Sequence, residues 1–262
     1  MTTLLNSKVA ATRDTEETTP MPFCSGVGVK PGLPDKDSSR RRFLEMAMGG
    51  TVGGFVTIVG MEFATPLPML AQSKLSPDAA LQELMDGNRR FTSGRLTAHE
   101  QDLAILKQNT IEKQEPFAAV LSCADSRVPV EMVFDQSIGH LFVTRVAGNV
   151  VTPEIIASLE YGAAVLGTKV ILVMGHAGCG AVKATIQAKE VPGQISALYP
   201  HIQPAVDQAG PNLEAATKAN AKIQSTLLRE ASTVVASLVK DKKLKVVAGY
   251  YDIASGAVSL LE

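Results

Sequence analysis

Two short segments of this 262-residue chain carry residues that could bind a metal ion. Cys123 begins the segment Cys-Ala-Asp-Ser-Arg, and His176 and Cys179 enclose the segment His-Ala-Gly-Cys. Two cysteines and one histidine suit zinc, and three protein ligands leave the fourth position of a tetrahedral site open. An open position is typical of a catalytic zinc rather than a structural one. The pattern therefore predicts an enzyme that activates water.

A carboxylate and a guanidinium lie close to the first cysteine. Cys123, Asp125 and Arg127 alternate along the chain, so an extended segment would project all three side chains to one side. Arg127 could then hold Asp125 through paired, charge-assisted hydrogen bonds that keep the carboxylate ionised. The carboxylate could orient a hydroxide on the zinc, or could itself occupy the zinc when the site is at rest.

Strands and helices must bring these segments together. Apolar runs predict five strands, at 117–121, 141–144, 170–174, 246–251 and near 258. Thr152-Pro153 predicts a helix between the second and third strands, and Ser76-Pro77 predicts the start of an N-terminal helical arm.

This alternation of strands and helices predicts an α/β fold. The expected architecture is a mostly parallel central sheet of four to five strands, flanked by helices. Cys123 follows the first predicted strand directly, and His176 follows the third. Ligands bind beyond the carboxyl ends of strands in such sheets, so the two segments can meet at one edge.

The first 72 residues differ from the rest of the chain. Residues 1–37 show no apolar periodicity and are predicted to be disordered. Residues 38–72 contain Ser-Arg-Arg-Arg-Phe-Leu before an uncharged run at 46–61, which resembles a twin-arginine export signal. That run is shorter than the ~20 residues that span a bilayer. We expect an export signal or a membrane tether, a periplasmic or other extracytoplasmic location, and a catalytic domain at 73–262.

Composition excludes several other classes of protein. An apolar fraction of 45% is ample for a buried core, and a net charge of −1 gives no indication of a nucleic-acid partner. Three cysteines at wide spacing do not form a disulfide framework.

The chain resembles the β-class carbonic anhydrases from about residue 75 to residue 261. The motifs C-A-D-S-R-V-P, V-x-x-x-x-G-N-V-V and G-H-A-G-C-G-A-V occur here in that family's order. The resemblance implies one zinc ion per subunit, held by Cys123, His176 and Cys179, with Asp125 and Arg127 as a catalytic dyad. It also implies reversible hydration of carbon dioxide to bicarbonate and a proton by a zinc-bound hydroxide, because zinc lowers the pKa of its bound water to ~7.

The resemblance also implies residues on the substrate side and an assembly. The substrate-side residues are Gln114, Phe142, Tyr161 and Gly180. The expected assembly is a homodimer or a higher homo-oligomer, in which the glutamine and the phenylalanine can come from the partner subunit.

Two other functions fit the same residues. A hydrolase of carbon disulfide or carbonyl sulfide would share the zinc site and the fold, and would differ in its tunnel and its assembly. A non-catalytic zinc domain could serve as a bicarbonate-binding scaffold, although a scaffold has no need of the Asp125–Arg127 pair.

Overall fold

The computed structural model describes residues 73–98, 110–111 and 113–262 of the chain. The predictions made for residues 1–37 and 38–72 lie outside these residues. None of the described helices combines the length and the hydropathy needed to cross a bilayer.

A five-stranded sheet forms the centre of the described domain. Its strands are β1 (Ala118–Ser122), β2 (Leu141–Arg145), β3 (Val170–His176), β4 (Lys245–Tyr251) and β5 (Val258–Leu261). They lie in the order β2-β1-β3-β4-β5, and every neighbouring pair is parallel except β4 and β5. The predicted α/β fold with a mostly parallel sheet is therefore confirmed.

Seven α-helices accompany the sheet in the described ranges. They are α1 (Pro77–Thr92), α2 (Val130–Val133), α3 (Pro153–Glu160), α4 (Gly180–Ile186), α5 (Tyr199–Ala209), α6 (Leu213–Ala231) and α7 (Thr233–Lys240). The helix predicted from Thr152-Pro153 runs on from α3 as a π-helical turn, Tyr161–Val165, before the chain reverses at Gly167 with φ +73°.

Helix α1 begins where the sequence predicts. The amide of Ala79 donates to the Ser76 hydroxyl over 3.2 Å, and Pro77 occupies the first turn, where no intrahelical donor is needed. Near the other end, the buried Asn88 side chain donates to the carbonyls of Val133 and Gly256 and ties α1 to α2 and to the segment before β5.

Both faces of the sheet are covered, which explains why β1 and β3 are continuous apolar runs. On one face Val120 and Leu172 pack with α1 and α2, and on the other Leu121 and Val173 pack with α3, α6 and α7. Every residue of β1 and β3 is buried, as expected for parallel strands between two helical layers. The packing fixes the carboxyl ends of these two neighbouring strands side by side.

Candidate metal centre

The two chemically distinctive segments converge beyond the carboxyl ends of β1 and β3. Ser122 lies opposite Met174 in the sheet, so Cys123 and His176 leave it close together. One donor atom each from Cys123, His176 and Cys179 lies within 4.8 Å of the other two, and all three residues are buried. Three donor atoms at this spacing can share a single ion.

The imidazole of His176 is oriented for metal binding. Its Nδ1 lies 2.9 Å from the carbonyl of Ala177, so the Nδ1–H donates there and Nε2 carries the lone pair. Nε2 is fully buried and has no hydrogen-bond partner among the described residues. A buried polar atom without a partner is costly, and a ligating histidine usually donates its other N–H to a carbonyl or carboxylate. The donor set and this unpaired nitrogen both fit zinc.

The two cysteines differ in acidity. A hydrogen bond from the Cys179 thiol, with further ones from the backbone amide of Gly148 and from the backbone near Asp125, lowers the pKa of Cys123 despite its burial. The same contact and burial raise the pKa of Cys179. The Gly148 amide, which donates to Cys123 Sγ over 3.4 Å, favours the thiolate form of Cys123, which is the form that binds a metal.

Asp125 and Arg127 form a fixed pair beside the three donors. The carboxylate accepts from the Arg127 backbone amide over 2.9 Å, from Nε over 3.0 Å and from Nη2 over 2.7 Å. These hydrogen bonds hold the pKa of Asp125 well below its usual range. Oδ2 lies 4.0 Å from His176 Nε2, and the carboxylate is 18% exposed whereas the guanidinium is 55% exposed.

The segment that carries this pair is not extended, which corrects the expectation from alternation. The amide of Val128 donates to the carbonyl of Asp125 over 3.1 Å, which closes a turn. The Asp125 side chain caps the same turn by accepting from the Arg127 amide, a common use of aspartate in turns. The turn still brings both side chains together, because residues i and i+2 meet across it.

Arg145, the last residue of β2, clamps the backbone of the first segment. Its Nε donates to the carbonyl of Cys123 over 3.0 Å, and its Nη2 donates to the carbonyl of Asp125. One planar guanidinium thus fixes a metal ligand relative to the carboxylate two residues later. Sequence reasoning did not assign this role to Arg145, since the only available signal is its place at the end of a strand.

Two glycines allow close approach around the site. Gly148 adopts φ +75°, and its amide donates to Cys123 Sγ over 3.4 Å. Gly175 precedes His176, and a Cβ there would lie 3.0 Å from Thr217 Cγ2 and 3.1 Å from the Thr217 carbonyl oxygen. A side chain at residue 175 would therefore push β3 away from α6.

The predicted substrate-side residues do not all gather at the donors. Phe142 and Tyr161 contact each other with ring centroids 6.2 Å apart, and Tyr161 is 46% exposed. Gln114 is exposed and precedes the amino end of β1, whereas Cys123 follows its carboxyl end. The five-residue strand β1, ~16 Å long, lies between them in the chain. Gly180 is exposed and begins α4, directly after Cys179.

Known proteins resemble this domain in both fold and sequence. Residues 118–258, which include the three donors and the Asp125–Arg127 pair, match the protein-family model described as carbonic anhydrase. A β-carbonic anhydrase from Coccomyxa, in complex with acetazolamide, is 25% identical with a TM-score of 0.56, over 69% of this chain and 86% of that one. The chain belongs to the β-class carbonic anhydrases. This enzyme hydrates carbon dioxide, and its Cys-His-Cys site is typical of zinc.

Two further relatives extend the comparison. A carbonic anhydrase from Mycolicibacterium smegmatis is 33% identical over 196 residues, which cover 71% of this β-carbonic anhydrase and 93% of that protein. The fold also resembles that of tetrameric β-carbonic anhydrases from Sordaria macrospora. The structure compared is 20% identical to this chain, with a TM-score of 0.56, over 69% of this chain and 96% of that one. At that identity the Sordaria likeness concerns the fold alone.

Proposed function

We propose that Asp125 is the residue that orients the attacking water during carbon dioxide hydration, and that Arg127 holds it in place. The observation that carries this proposal is the position of the carboxylate, fixed by three hydrogen bonds and 4.0 Å from the unpaired Nε2 of His176. When bound by Cys123, His176 and Cys179, zinc supplies the Lewis acid that activates water at neutral pH.

The hydrogen-bond count supports an orienting role for Asp125. A carboxylate has about four lone-pair positions on its two oxygens. Arg127 fills two of them on Oδ1 and one on Oδ2. The remaining position is therefore on Oδ2, the oxygen near His176, where it can accept an O–H and direct the oxygen lone pair of water toward carbon dioxide.

Substituting Arg127 tests this arrangement. In Arg127→Gln the carboxylate keeps the backbone hydrogen bond but loses both contacts from the guanidinium, so we expect kcat to fall at least ~10-fold with zinc content unchanged. Lys245→Gln is the matched control, because it breaks an exposed ion pair with Asp78 on another part of the domain. Unchanged kcat in Arg127→Gln would contradict the proposed role.

A homodimer would explain why Gln114 precedes the amino end of β1 while the Cys123 of its own chain follows the carboxyl end. Strand β2 is an edge of the sheet that the described residues form, and its Phe142 packs against the exposed Tyr161. We infer that this edge meets the same edge of a second copy, so that Gln114 serves the zinc site of the partner subunit. The tetrameric Sordaria enzymes, which share the fold, are consistent with such an assembly.

Mixing two inactive variants tests the shared site. Gln114→Ala keeps its zinc ligands, and Cys179→Ala keeps its glutamine, so a mixed dimer contains one site with both parts intact. After subunit exchange we expect activity above that of either variant alone, and a dimer or larger species by light scattering. A monomer, or a dimer without any recovery, would contradict the inference.

We also propose that residues 38–72 export the folded domain by the twin-arginine route, either as a cleaved signal or as a tether. The support is the order of the sequence, with Ser39-Arg40-Arg41 before the uncharged run at 46–61. Arg40→Lys with Arg41→Lys should retain the protein in the cytoplasm on cell fractionation. Arg42→Lys, outside the predicted arginine pair, is the control and should be exported normally. Normal export of the double variant would refute the route.

A further inference from the structure

Helix α6 carries two buried amide side chains one turn apart. Asn220 is 0% exposed and Gln224 is 1% exposed. Buried amides are costly unless their hydrogen bonds are satisfied, and these two reach across to the segment after β2. Asn220 Nδ2 donates to the carbonyl of Gly148 over 2.8 Å, and Gln224 Oε1 accepts from the amide of Val151 over 2.8 Å.

The segment held by these amides lies directly against a zinc ligand. Gly148 donates its amide to Cys123 Sγ over 3.4 Å. This hydrogen bond depends on the backbone of Gly148, which adopts φ +75°. The space around it is tight, since a Cβ at residue 148 would lie 2.7 Å from Ile202 Cδ1. Gln224 Nε2 also donates to the carbonyl of His201 over 2.9 Å, so the same side chain anchors the residue that precedes Ile202.

The turn formed by Gly148 and Asn149 has two features that cost free energy. Asn149, next to Gly148, adopts φ +45°. Both polar atoms of its buried side chain have no hydrogen-bond partner among the described residues. A left-handed non-glycine residue and unpaired buried polar atoms each cost free energy, and such conformations persist only where the surroundings impose them. Contacts from outside the turn must therefore hold it in place.

We propose that Asn220 and Gln224 are positioning residues for the zinc site, acting through Gly148 on the thiolate of Cys123. They hold residues 148–151 so that the Gly148 amide points at Sγ, which fixes the direction of the sulfur lone pairs. Groups that orient metal ligands in this way typically change metal affinity by ~10- to 100-fold when they are removed. This proposal depends on the proposed function in one respect, which is that zinc must occupy the site.

The test compares Asn220→Ala and Gln224→Ala with a control of the same kind, Asn88→Ala. Asn88 is also a buried amide, but its hydrogen bonds go to Val133, Gly256 and Val258. All three variants should lower the unfolding temperature. Only the variants of α6 should speed the loss of zinc to a chelator, by ~10-fold or more, and shift the thiolate-to-cobalt absorption band of the cobalt-substituted protein.

Faster zinc loss and a shifted cobalt band in the α6 variants, with Asn88→Ala like the wild type, would support the proposal. Wild-type zinc release and spectrum in the folded α6 variants would overturn it, as would equal acceleration in Asn88→Ala. If Asn220→Ala does not fold, Gln224→Ala decides, because it releases the other end of the same segment. A wild-type protein that binds no zinc would instead refute the proposed function.

Discussion

Replacing Asp125 by asparagine separates the orientation of water from the binding of metal. Asparagine keeps the shape of the side chain but has one acceptor oxygen, so at least one contact from Arg127 now faces an N–H donor. A hydrogen bond to a charged group is worth ~1.5–3 kcal/mol, which corresponds to ~10- to 150-fold in rate if it acts in the transition state. Misplacement of a reacting group by ~1 Å can itself cost ~10²-fold in rate. We therefore expect kcat/KM to fall at least ~100-fold.

The assay is stopped-flow hydration of carbon dioxide, with zinc per chain measured on the same sample. Zinc content should match the wild type, because Asp125 lies outside the set of three donors. Asp78→Asn is the matched control, since it removes one carboxylate from an exposed ion pair with Lys245 and should leave the rate unchanged. Full activity of zinc-loaded Asp125→Asn would refute the reasoning, and loss of zinc would show that the carboxylate is a ligand instead.

Three further substitutions test the structure around the site and the stability of the domain. Cys179→Ala leaves two donors and should lose zinc by elemental analysis; retained zinc would contradict the donor set. Gly148→Ala places a Cβ 2.7 Å from Ile202 Cδ1 and should lower the free energy of unfolding, measured in urea, by ~1–3 kcal/mol. A variant as stable as the wild type would show that residue 148 has room for a Cβ. At Asp135, burial raises the pKa but hydrogen bonds from Arg90 and backbone amides lower it overall, from 3.8 to about 2. Because the pKa of Asp135 is lower in the folded state, its carboxylate should contribute ~2 kcal/mol to the free energy of unfolding above pH ~4, and this contribution should be lost as pH falls toward ~2. Denaturant titrations of Asp135→Asn should lack this loss. If the loss persisted in the variant, the assignment would be contradicted.

The sequence predicts the sheet well because its central strands are buried on both faces. A run such as 170–174 has no polar residue to obscure it, and β3 extends that run by two residues to His176. The helices between residues 199 and 240 were not predicted. In α6, the buried positions include Thr217, Asn220, Gln224 and Ser225, so polar residues interrupt the apolar stripe that normally reveals a helix.

The convergence of the donors could be predicted because it depends on two adjacent strands and on short segments. Cys123 and His176 each follow a strand, and those strands are neighbours in the sheet. The supporting contacts could not be predicted, since they join residues distant in sequence. Asn220 is 72 residues from the Gly148 carbonyl that it holds, and Arg145 is 22 residues from the carbonyl of Cys123. Nothing in the local pattern of either residue indicates such a partner.

The most direct test of the central claim is carbon dioxide hydration measured against zinc content, with the full chain titrated from its metal-free form. Activity should rise linearly and reach its plateau at one zinc per chain, because Cys123, His176 and Cys179 form one donor set. Carbonyl sulfide, run beside it, should be turned over far more slowly. A fully zinc-loaded protein that does not hydrate carbon dioxide, or that prefers carbonyl sulfide, would contradict the proposed function.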